Sequence, residues 1–158
     1  MTAIDDKVHF LKIEFIPLLK SILFDKPPMW GKMNLHQMIE HFSQALRVAS
    51  GRVAVTQMVT PIEHLEKMRS FLMSDMPFRE NTPNPLMPEV HEDVHADKTI
   101  DDSIAELNTE IDHFFSVFES KQQQQTRNPF FGDLDYKMNV QLLYKHAVHH
   151  LKQFGVIV

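Results

Sequence analysis

Cysteine is absent from the chain, so disulfides contribute nothing, thiolate metal sites are excluded and no cysteine nucleophile exists. No stretch approaches the roughly 18 uninterrupted apolar residues that a membrane span needs. Residues Met1 to Lys7 carry aspartates and no apolar run, unlike a secretory signal. The expected location is therefore the cytoplasm, with no membrane partner. An excess of positive charge is missing too: the formal net charge is −5 and the 16 basic residues are scattered, which argues against neutralising phosphates and against a nucleic-acid partner. Glycine occurs only four times, with no phosphate-cradling loop and no Gly-x-Ser-x-Gly elbow.

With glycine this scarce and apolar residues recurring at spacings of three and four, the chain reads as all-α, one domain over residues 1–158. A first helix is expected from Asp5 to Phe24, burying Val8, Leu11, Phe15, Leu18, Leu19 and Ile22, with Pro17 kinking it or else marking a restart. Asn34 is a good N-cap for a second helix reaching Ser50. Thr60-Pro61-Ile62-Glu63 has the form of a capping box with proline at the first helical position, predicting a short helix from Pro61 to Ser74. Residues 75–98 carry Pro77, Pro83, Pro85 and Pro88 and read as an irregular surface excursion. Thr99 with Asp102 opens a long helix from Ile100 to Gln125; Asn128-Pro129-Phe130-Phe131-Gly132 is a turn; and a last helix runs from Leu134 to Phe154, stopped by Gly155. No strand pattern is evident. Four long helices and a short one make a bundle.

Histidine is present in excess, ten residues or about 6% of the total, and it is the commonest metal ligand. In Lys145-His146-Ala147-Val148-His149-His150-Leu151, His146 and His150 are four apart on a predicted helix, which stacks their rings on one face. Tyr136, Leu143, Ala147, Leu151 and Phe154 form the buried stripe, with His150 at its edge and His146 just beyond. His149 falls nearer the solvent face assigned to Lys145 and Lys152. On the second helix Leu35, Met38, Ile39, Phe42, Ala45, Leu46 and Ala49 are the apolar stripe; His41 borders it and His36 projects away. Three imidazoles meeting at a cleft would hold a metal and leave a coordination position open, as in catalytic zinc sites. A His-x-x-x-His pair is also common as surface decoration, and it is the matching His41 that favours a site.

The other constellations are weaker. Glu92-x-x-His95 and Glu110-x-x-His113 have di-iron spacing, but Ile104, Leu107, Ile111, Phe115 and Phe118 define the buried side of the long helix that carries the second pair and turn His113 outward. Glu92 lies in the proline-rich excursion, as does the pair His91 and His95, read as a solvated charged stretch. His9 and His64 have no evident partner. Trp30 reads as an aromatic plug at the end of the bundle rather than a substrate contact.

Trp30-Gly31-Lys32-Met33-Asn34 followed by Gln37 to His41 resembles the entry to the second helix in the DinB-like (DinB/YfiT-like) superfamily. Asn128 to Gly132, and Tyr144 to Gly155 with its Lys-His-x-x-His-His-Leu-x-Gln-Phe-Gly pattern, resemble the rest of the signature of one bacterial branch. Asn128 and Met138 depart from that pattern, where histidine and tryptophan are frequent. The resemblance implies an up-down-down-up four-helix bundle, commonly a homodimer, with one metal on His41, His146 and His150. Nickel or zinc is the usual occupant, with iron an option. It also implies chemistry on a small-molecule substrate, either hydrolysis or transfer to a low-molecular-weight thiol.

A metal-activated water or small thiol is thus the expected reagent, with hydrolase or thiol S-transferase activity the expectation. A general base is not evident: Gln37, Gln44 and Gln153 lie on the histidine side but cannot take a proton, and Glu40 reads as solvent-facing. The alternatives are a non-catalytic metal or small-molecule binding bundle and a metal-free helical interaction protein.

Overall fold

The computed structural model describes residues 2–80 and 94–158. The chain begins with one continuous helical rod in three parts: α1 (Ala3–His9), a π-helical stretch (Phe10–Glu14) and α2 (Phe15–Lys20). Thr2 rather than Asp5 starts it, since the Thr2 and Asp5 side chains cap each other's backbone N–H. Ahead of Pro17 the rod carries the π stretch. Proline offers no N–H and its ring crowds the carbonyl four residues back. One turn earlier the ladder has widened, so that the Phe15 N–H reaches Phe10 O. The rod ends at Lys20, short of the expected Phe24; Leu23 and Phe24 stand exposed in the following turn.

The second long helix, α3 (Leu35–Ser50), has the expected bounds. Asn34 and Gln37 form a reciprocal capping box, and Gly51 closes the helix at φ +82°, where a side chain would be strained. The expected helix from Pro61 to Ser74 is shorter and starts differently, as a 3₁₀ turn Ile62–His64 leading into α4 (Leu65–Met73). Thr60 caps nothing there, because Val59 N–H is drawn to Pro129 O at 2.8 Å and Pro61 adopts an extended ψ of 146°. Of the expected excursion, 81–93 lies outside the described residues.

The Thr99–Asp102 capping box opens α5 (Ile100–Phe118), which stops at Phe118 rather than Gln125. Beyond it the strand-free expectation is corrected: β1 (Thr126–Asn128) pairs antiparallel with β2 (Gly132–Leu134), Asn128 opposite Gly132, across the anticipated turn. Strands of three residues are too short to show alternation. The hairpin is fixed from outside, by Thr126 donating to Ala49 O at 2.7 Å and Asn139 donating to Thr126 Oγ1 at 3.0 Å. Asp135 then caps α6 (Tyr136–Gln153), and Gly155 ends it at φ +79°.

The protein is thus helix-dominated, with α3 lying along α5 and α6 packed on α1, α3 and α4. Phe15, Phe42, Phe114, Phe118, Leu143, Leu151 and Phe154 meet in one core and are essentially inaccessible. Burying each is worth roughly 1.5–3 kcal/mol. On α5 it is Phe114, not Phe115, that takes the central position. Among the described residues no helix is long and apolar enough to cross a membrane.

Candidate metal centre

The site grows from helix phase. Phe42 on α3, and Ala147 and Leu151 on α6, are fully buried; the residue before each is a histidine, about 100° round the helix. Where α3 meets α6 those three edges face one another. His146 Nε2 lies 3.0 Å from His41 Nε2 and 2.8 Å from His150 Nε2. One ring nitrogen from each of the three lies within 4.8 Å of the other two. His150 is buried, and His41 and His146 are half-buried. The Phe42 ring packs 5.0 Å from that of His146, and Phe78 closes over His146 and His149 at 6.5 and 6.2 Å.

Burial, reinforced by the neighbouring imidazoles, holds His146 well below the ordinary histidine pKa. Burial and then His41 push His150 down to about 3. Both are therefore neutral near pH 7, the form that binds metal. A neutral imidazole Nε2 either carries one proton or offers one lone pair. His146 Nε2 can thus complete a directed hydrogen bond to only one of its two close neighbours, and the two contacts compete. A cation shared among the nitrogens removes that conflict. Three imidazoles suit zinc, nickel, copper or iron, and about 2 Å from a shared ion they would need to part only slightly. The donor set fits a divalent transition metal.

Behind His150 stands Gln153, whose Oε1 lies 2.8 Å from His150 Nδ1 and whose Nε2 donates to Trp30 O at 2.9 Å. Of the three glutamines singled out, Gln37 caps α3 and Gln44 accepts from Arg47. His149 is beside the trio, its ring 5.3 Å from His150 and 5.7 Å from Trp30. Trp30 therefore flanks the histidines instead of merely plugging an end.

Several expectations are corrected. Lys145 does not mark a solvent face: it is buried, its ammonium donating to Phe71 O, Leu72 O and Ser74 O at 2.9, 3.3 and 3.3 Å. Those carbonyls end α4, a helix whose approach periodicity on α6 does not reveal. Glu40 is not solvent-facing but pairs with Lys98 at 2.5 Å and accepts from Ser103. Glu110 is buried between Arg47 and Arg52, which commits its carboxylate to an ion network. His113 is half-buried, and His36 bonds Ser103 on α5 at 2.8 Å. His9, His64 and His95 are exposed; His91 and Glu92 lie outside the described residues. Asn128 shapes its turn by accepting from Phe130 and Phe131, and Met138 packs beside Leu72 and Phe131. A cavity of about 580 Å³ opens elsewhere, between Lys26, Lys32, His36 and Lys98, and holds none of the trio.

Compared with known proteins, the chain matches no family model, no curated protein and no solved structure.

Proposed function

We propose that this chain is a metal-dependent enzyme of the DinB-like superfamily, a four-helix bundle in up-down-down-up order that holds one divalent ion on His41, His146 and His150. The observation that carries the reading is the single Nε2 of His146 facing two other imidazole nitrogens at 2.8 and 3.0 Å, a grouping one proton cannot satisfy. Nickel or zinc is the proposed ion. When bound, it would supply a Lewis acid that lowers the pKa of a coordinated water or thiol towards neutrality.

The chain's own residues shape the rest. Phe42 and Phe78 shield His146 with aromatic carbon. Gln153 orients the His150 ring. Glu40, the carboxylate next to His41, is held by Lys98 and Ser103 and is not placed to act as a base. That favours a reaction needing no protein base, transfer to a low-molecular-weight thiol, over hydrolysis. The same engagement of Glu40 favours the second reading, a bundle that binds metal or a small molecule without catalysis. A homodimer in the cytoplasm completes the proposal.

The test is elemental analysis of untagged protein purified without chelators, beside a His146→Ala, His150→Ala double variant. The expected result is about one zinc or nickel ion per chain, lost in the variant while its circular dichroism is unchanged. No metal in the wild type, even after reconstitution, would refute the reading. Turnover of a panel of thiols with electrophiles, and of simple esters and amides, then separates enzyme from binder.

A further inference from the structure

We propose that Gly31 and Gln153 act as a positioning pair that fixes His150 as its Nδ1–H tautomer, leaving Nε2 bare towards His146. The functional meaning rests on the metal site proposed above, while the tautomer itself exists with or without an ion.

The assignment follows from hydrogen-bond chemistry. Trp30 O can only accept, and the Gln153 side-chain nitrogen lies 2.9 Å from it, so that end of the amide is the NH₂. The oxygen end then faces His150 Nδ1 at 2.8 Å. An amide oxygen can only accept, so Nδ1 must carry the proton. In a neutral ring the other nitrogen, Nε2, is left with its lone pair, and it is Nε2 that lies 2.8 Å from His146.

Gly31 makes the arrangement possible. The turn before α3 grips the last turn of α6 twice, through Met29 N–H to Gln153 O at 2.7 Å and through the Trp30 carbonyl to the Gln153 side chain. At Gly31 a Cβ would stand 2.8 Å from Gln153 Nε2, and the backbone is at φ +78°. A side chain there would be strained and would push the amide off Trp30. The absence of an atom at Gly31 thus reaches His150 through one intervening residue. Groups that orient a ligating histidine in this way typically control metal affinity by about 10–100-fold.

The experiment reads tautomers directly, by long-range ¹H–¹⁵N NMR of the histidine rings in metal-free protein, and zinc affinity by competition with a chelating dye. Wild type should show His150 with Nδ1 protonated and Nε2 bare. Gln153→Leu should populate the Nε2–H tautomer and weaken zinc by about 10-fold or more. Gln153→Glu, which keeps an acceptor, should retain Nδ1–H. Gly31→Ala should reproduce the Gln153→Leu spectrum, and combining the two should be no worse than Gln153→Leu alone. Gly51→Ala controls for positive-φ strain, since its Cβ would meet Thr126 instead. Retention of Nδ1–H in Gln153→Leu, or equal effects of Gly31→Ala and Gly51→Ala on the His150 signals, would overturn the pairing. A wild type with the expected tautomer that binds no zinc would overturn the metal reading alone.

Discussion

Mild acid should destabilise the metal-free protein through His146 and His150. Both are held below the ordinary histidine value, His146 well below and His150 to about 3, chiefly because burial disfavours the charged ring. In the unfolded chain both titrate near 6.5. Their folded pKa values are depressed, so below pH 6.5 the unfolded state takes up protons that the native state refuses, and stability falls with pH. The full contribution is present above that value and is lost on the way down towards pH 3. By about pH 5 the His150 ring alone has given up roughly 2 kcal/mol, and His146 adds in the same direction, against a domain stability of order 5–15. Glu106 and Asp133 are lowered from ordinary values of 4.5 and 3.8, so their losses come at lower pH. His149 is also lowered, by burial against the opposing Phe78 carbonyl and Glu80, and its loss runs in the same direction. The assay is urea unfolding between about pH 7 and 5 with a chelator present, for wild type and for His146→Ala, His150→Ala. The variant should lose most of the slope. A wild-type change under about 1 kcal/mol, or an equal slope in both proteins, would refute the account.

The remaining predictions concern the scaffold around the site. Lys145→Met should cost about 1–2 kcal/mol, because Gln141 still donates to Leu72 O and Ser74 O at 3.0 and 3.2 Å. Adding Gln141→Leu strips both carbonyls of these side-chain donors, so urea unfolding of the double variant should show a loss larger than the sum of the singles. Glu110→Ala should cost about 1–2 kcal/mol in the same assay, since Arg47 loses one carboxylate partner but keeps Glu106. Arg52→Ala should cost under about 1 kcal/mol, its side chain being 44% exposed.

Where an element is made by neighbours in sequence, the sequence reveals it. Asn34 with Gln37 and Thr99 with Asp102 form the reciprocal caps their spacing announces. Thr60-Pro61-Ile62-Glu63 offers similar residue types and fails, because a contact to Pro129 from the far hairpin claims the backbone at Val59. The hairpin is hidden for the same reason: its strands are clamped by Ala49 and Asn139, not by any alternation of their own. Lys145 is misplaced by a wheel drawn on α6 alone, since the end of α4 is the element that buries it.

The histidine trio is legible because it depends only on helix phase. A histidine one residue before a core position lies at the edge of the buried stripe, and His41, His146 and His150 each precede one: Phe42, Ala147 and Leu151. Once α3 and α6 pack through those stripes, the edges have to meet. The support of the site obeys no such rule. Gln37, Gln44 and Gln153 share the histidine side of their helices, yet one caps, one pairs with arginine and one bonds the ring of His150. Gln153 is selected by a carbonyl 123 residues away, on a turn that can come close only because Gly31 has no side chain. Periodicity finds the atoms that converge, and only the tertiary fold decides which of their two nitrogens carries the proton.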